Sequence, residues 1–98
     1  MLDQTELQLS AERAFLGSIY PEMRAVRIRA EGSDIILSVI LDKEPSEIVR
    51  EAISVAATEI SEDFPGECDR VVEDVIVNSG PIAIENGVSW SCIYERSE

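Results

Sequence analysis

The 98-residue sequence has no histidine, a single lysine (Lys43), two cysteines (Cys68 and Cys92) and five aromatic residues. Each scarcity removes a class of chemistry. Without histidine there is no imidazole for acid-base catalysis near neutral pH, no imidazole metal ligand, and neither a Ser-His-Asp nor a Cys-His arrangement. Lys43 stands among Asp42, Glu44 and Glu47, a poor setting for a nucleophilic amine. Two thiols cannot provide the four nitrogen and sulfur ligands of a structural zinc site. The five glycines are scattered singly, so no glycine-rich loop is available to cradle a phosphate. No apolar run approaches the ~20 residues of a membrane span. The opening Met1-Leu2-Asp3-Gln4-Thr5-Glu6 is acidic and no apolar stretch follows, so no secretory signal is expected and the cytoplasm is the expected location.

What the chain has in excess is negative charge. Twenty Asp and Glu against eight Lys and Arg leave a net charge of −12. The imbalance is concentrated: residues 1–41 carry six acids and four bases, residues 42–98 fourteen acids and four bases. A polyphosphate or an anionic lipid surface would be repelled, so neither nucleic acid nor membrane is an expected partner. An apolar fraction of 45% is enough to build a core. With no repeat, linker or low-complexity tract, residues 1–98 read as one domain.

Periodicity assigns the elements. Leu7, Ala11, Ala14 and Phe15 make an apolar stripe, predicting a helix from Thr5 to about Leu16, capped by Asp3 or Thr5 and ended at Gly17. Residues 24–30 alternate, with Val26, Ile28 and Ala30 on one side and Ala25, Arg27 and Arg29 on the other. After the turn residues Glu31-Gly32-Ser33-Asp34 comes the almost wholly apolar Ile35–Leu41, which suits a strand covered on both faces or lying centrally in a sheet. Pro45-Ser46 opens a second helix, in which Val49, Ala52, Ile53, Ala56 and Ile60 share one arc while Glu47, Glu51, Ser54, Thr58 and Glu62 fall opposite. Val71–Val77 is a third strand; its adjacent Glu73 and Asp74 face opposite sides, so it cannot be buried on both. Ile82–Ile84 is a candidate short extension, Asn86-Gly87 a turn, and Val88–Glu95 a last strand with Val88, Trp90, Cys92 and Tyr94 on one face. The expectation is an α+β, two-layer sandwich in the order α-β-β-α-β-β, with a four-stranded antiparallel sheet of two hairpins and both helices on one of its faces.

Three local features could carry chemistry. The turn Glu62-Asp63-Phe64-Pro65-Gly66-Glu67-Cys68-Asp69 gathers four acids, but their spacing is not that of a calcium loop, and no metal site is expected. Arg24, Arg27 and Arg29 are the one basic cluster; in so acidic a chain they suit pairing with local acids better than holding phosphate. Cys92, on the apolar face of the last strand, reads as a buried inert thiol, and Cys68 as a thiol whose ionisation its acidic neighbours oppose. No catalytic group and no cofactor are expected.

A surface remains. Glu47, Glu51 and Glu62 of the second helix, Asp63 after it, and Glu73 and Asp74 of the third strand lie close in sequence and on neighbouring elements. Such a patch repels itself but speeds encounter with a cationic macromolecule. Phe15-Leu16-Gly17 with Met23-Arg24-Ala25-Val26, Asp42 with Ser46-Glu47, Thr58-Glu59-Ile60 with Asp63-Phe64-Pro65, and Tyr94-Glu95-Arg96 together resemble small acidic bacterial immunity proteins of polymorphic toxin systems, including those of contact-dependent growth inhibition. The resemblance implies a small, non-enzymatic α/β inhibitor of a cognate toxin domain, often one that covers a basic nuclease active site. It carries over no contact residue. The six carboxylates named above, chosen from charge and expected exposure, are the candidate partner-binding residues. The alternative is a non-catalytic interaction or homodimerisation module that pairs through an exposed edge strand.

Overall fold

In the computed structural model, which describes residues 2–82 and 89–97, the chain runs α1 (Gln4–Ala14), β1 (Met23–Glu31), β2 (Asp34–Leu41), α2 (Glu47–Glu62), β3 (Arg70–Val77) and β4 (Ser91–Glu95). Asp3 is the cap of α1: its carboxylate accepts from the Thr5 and Glu6 N–H groups at 2.8 and 3.2 Å, satisfying donors the first turn leaves open. Leu7, Ala11, Ala14 and the C-cap Phe15 are buried, as their spacing requires. Ser46 caps α2 by accepting from Val49 N–H at 3.3 Å, and Val49, Ile53, Ala56, Ala57 and Ile60 form its buried face.

β1 and β2 are an antiparallel hairpin in which Glu31 pairs with Asp34, leaving Gly32-Ser33 as a two-residue loop. Gly32 has φ +62° and Ser33 does not take a positive φ, the pattern of a type II′ turn with glycine first. β2 lies inside the sheet between β3 and β1, which is why its side chains need no polar face. Val26 and Ile28 of β1 join Ile35, Leu37, Val39 and Leu41 of β2 in one core with both helices.

The all-antiparallel arrangement of two hairpins is overturned. The sheet is mixed, in the order β3-β2-β1-β4, and β3 lies parallel to β2 in unbroken register from Asp34↔Arg70 to Leu41↔Val77. The cause is α2. A helix of 16 residues spans about 24 Å and the eight-residue strand β2 about 26 Å, so α2 returns the chain to the level at which β2 began. A strand that starts there and runs alongside β2 is parallel to it. β4 is antiparallel to β1 on the far edge, with Ala25↔Glu95 and Ile28↔Ser91. Residues 78–90 therefore connect the two opposite edges of the sheet. Ala83–Val88, including most of the candidate extension, the Asn86-Gly87 turn and the start of the expected last strand, lie outside the described residues.

The two ends of that connection are anchored on β1. Arg24, the extra residue where the β1–β2 register shifts between Met23 and Ala25, donates to the Asn78 and Gly80 carbonyls. Trp90 lies over the guanidinium groups of Arg27 and Arg29, 4.7 and 5.0 Å from the ring centroid. On the face of the sheet away from the helices, Ala25, Ser38 and Ile40 are buried.

The turn makes a direct prediction. A Cβ added at Gly32 meets no atom within 4 Å, so Gly32→Ala tests backbone conformation alone. Chemical denaturation should show a loss of about 1 kcal/mol, the cost of the left-handed region for an L residue; unchanged or increased stability would contradict this turn geometry.

Candidate interaction surface

α2 positions the surface. Its apolar arc is consumed by the core, so the opposite arc faces solvent, and the first and last turns bring acids to both ends. Glu47, Glu51 and Glu62 are exposed and join no ion pair or side-chain hydrogen bond among the described residues. Glu59 shares both properties and lies between Glu51 and Glu62 along the helix. Its spacing of eight from Glu51 was available in the sequence, and it belongs with this group although charge counting on the outer arc passed it over.

The other three candidates are placed differently. Glu73 is exposed on β3 and accepts from Ser54 Oγ of α2 at 2.9 Å, so it extends the row of carboxylates sideways. Asp74 is exposed too, but as the next residue along the strand it faces the other side of the sheet, away from α2. Asp63 is the C-cap of α2 and is committed within the chain: it accepts from Ser10 Oγ at 2.6 Å and from Arg13 at 3.2 Å, joining the end of α2 to α1. The structure thus brings Glu47, Glu51, Glu62 and Glu73 to one side and keeps Asp74 from it.

Among the described residues the arginines form no ion pair with this side. Arg13, Arg29, Arg50, Arg70 and Arg96 pair with Asp63, Glu31, Glu44, Asp34 and Asp42. Arg24 is occupied by backbone carbonyls and Arg27 by Trp90. The Arg24, Arg27 and Arg29 cluster is therefore structural, and the seven arginines all have partners elsewhere than on the outer arc of α2.

The chemistry of the remaining polar groups is muted. Among the described residues no three His, Cys, Asp or Glu side chains come together as a metal site. The expectation of a buried Cys92 is overturned: the residue is exposed. The strand does not alternate as expected, because the β1–β4 register shifts between Val26 and Arg27, so that Tyr94 pairs with Val26 while Cys92 pairs with Arg27. Ile93 and Tyr94 both pack on the core as a result. Both thiols are free, and desolvation pushes both up in pKa; Asp34 and Asp69 add to this at Cys68, and Glu95 at Cys92. Among the described residues no helix is long and apolar enough to cross a membrane.

Residues 4–98 match the family model described as MafI2 immunity protein. No curated protein matches the chain.

The Asp63 contacts have a pH signature. The hydrogen bond from Ser10, with a smaller contribution from Arg13, holds the Asp63 carboxyl below the usual carboxylate range despite some desolvation. The ionised form is thus favoured by folding, and its contribution is full near neutral pH and fades as pH falls below about 4. Asp63→Ala should cost about 1 kcal/mol at pH 7, read by denaturant midpoint, and the gap from the parent chain should narrow as the pH is lowered to 3. A gap that persists unchanged at pH 3 would contradict this role.

Proposed function

We propose that this chain, which belongs to the MafI2 immunity protein family, binds its cognate toxin domain and neutralises it without catalysing a reaction of its own. The toxin domain is basic, with a nuclease as the activity such a surface suits best, and the contact is made through the acidic side of the chain. The family match supports the inhibitory role. One observation carries the electrostatic part: Glu47, Glu51 and Glu62 stand along one helix and make no ion pair among the described residues. Lysines or arginines that hold a phosphate backbone in a nuclease would find carboxylates in its place, with complementary charge raising the association rate. Within the six candidates the placement favours Glu47, Glu51 and Glu62 as the contact, with Glu73 at its margin. Asp63 contributes by holding α2 in place against α1. Protection takes place in the cytoplasm, against toxin delivered by a neighbouring cell.

The alternative of a homodimer built through an exposed strand meets an obstacle in β3, the longer of the two edge strands. Antiparallel pairing of β3 with a second copy about its middle would set Glu73 opposite Glu73 or, one residue along, Asp74 opposite Asp74 at the two-fold axis. Like charges directly opposed destabilise a strand pair.

The decisive experiment is co-expression with the toxin domain encoded beside this chain, followed by growth measurement and co-purification. Protection and a stable complex are expected; the absence of both would remove the proposal. Within that system Glu47→Lys with Glu51→Lys should leave the melting temperature close to that of the parent and weaken the complex about tenfold at low ionic strength, with a smaller effect at high salt. Equal affinity at low ionic strength would rule out the outer arc of α2 as the electrostatic contact.

A further inference from the structure

The solvent side of α2 carries more than acids. Ile48 is 66% exposed and Val55 50% exposed. They are seven residues apart, two turns of the helix, and Ala52 lies between them on the same side. None of the three is in the core cluster, which already fills the inner face of α2 with Val49, Ile53, Ala56, Ala57 and Ile60. The fold therefore supplies no internal reason for the two large aliphatic side chains. They line a shallow hollow together with Glu51, Ala52 and residues Ser18 and Tyr20 of the α1–β1 connection. Val55 and Glu51 also border a second hollow that continues along the helix past Glu59 to Glu62. An apolar ridge thus runs between two depressions, edged by carboxylates.

We infer that this ridge is the energetic centre of the docking surface, and that it takes a partner segment in which an aliphatic or aromatic side chain is flanked by lysine or arginine. The inference rests on the proposed inhibitory function and names the chemistry of its contact. Exposed ion pairs contribute about 0–1 kcal/mol each, too little for a durable complex when taken alone. Stable interfaces are held by a desolvated centre with polar groups around it. The rim selects the occupant. Glu47, Glu51, Glu59 and Glu62 make no ion pair among the described residues, so the complementary surface is cationic. A second copy of this chain would bring the same acids against each other, and an anionic surface would be repelled.

The test uses the full chain and the toxin domain encoded beside it, with affinity measured in 0.1 M and 0.5 M NaCl. Ile48→Ala with Val55→Ala replaces exposed aliphatic residues by the best helix former, so the fold should persist, as a thermal melt of the variant will verify. The double variant should lose at least tenfold in affinity by a similar factor at both salt concentrations. Glu51→Gln with Glu59→Gln should lose affinity chiefly at 0.1 M. If the parent chain binds and the Ile48 and Val55 variant binds equally well at both salts, the inference fails while the inhibitory function stands. If the parent chain neither binds nor protects, the function fails and the inference with it. Self-association of the chain alone that the double variant abolishes would also overturn it, by making a second copy the occupant.

Discussion

The packing of α2 against α1 and the β3 side of the sheet governs the rest of the molecule. Val49, Ile53, Ala56, Ala57 and Ile60 share one core with Val26, Ile28, Ile35, Leu37, Val39 and Leu41 of the apolar sheet face. Burial of side chains of this size, at roughly 1.5–3 kcal/mol each for the large ones, is the main force available to a small domain. It fixes where α2 lies, and two consequences follow. The chain re-enters the sheet at the level where β2 started, which makes β3 parallel and places it at an edge. The opposite arc of α2 is left in water with its acids and its two aliphatic residues. Topology and candidate surface are thus two results of one contact.

The charges divide along the same line. Where acids meet arginines they hold the framework: Asp34 with Arg70 across β2 and β3, Asp42 with Arg96 where β4 ends, Asp63 with Arg13 between the helices. These pairs are partly exposed and individually weak, but they occupy the arginines. The carboxylates left over include those of the outer arc of α2, with Glu6, Glu22, Asp69 and Asp74 elsewhere on the chain. A patch of one sign costs the isolated domain some stability through self-repulsion, and that cost is offset when a cationic surface covers it. This is the physical sense in which an acidic chain suits the immunity role of its family.

Much of this was legible in the sequence, and the limits have physical reasons. Both helices, the first hairpin and the central position of β2 follow from spacing, because the signals are local: a 3.6-residue stripe in each helix, a glycine turn between Glu31 and Asp34, an apolar run from Ile35 to Leu41. The partner of β3 was not legible, since strand pairing across a helix of 16 residues depends on element lengths and packing rather than on any turn motif. The face of Cys92 was lost to a single extra residue in β4, where one shift in register reverses which side chains point inward. At the candidate site, charge spacing pointed to Glu47, Glu51 and Glu62, which the fold leaves exposed along α2. The engagement of Asp63 was hidden because Ser10 and Arg13 lie about fifty residues away in the chain. The spacing of Ile48 and Val55 was visible, but an aliphatic residue on a helix reads as core until the sheet that it fails to touch is in place.

The account rests on the outer arc of α2 being the face that the toxin covers. Carboxyl footprinting, in which a carbodiimide labels exposed Asp and Glu and mass spectrometry locates the label, measures this directly on the free chain and on the complex. Glu47, Glu51, Glu59 and Glu62 should lose reactivity in the complex while Asp74, on the opposite face of the sheet, keeps it. Protection of Asp74 with the carboxylates of α2 still fully labelled would contradict this.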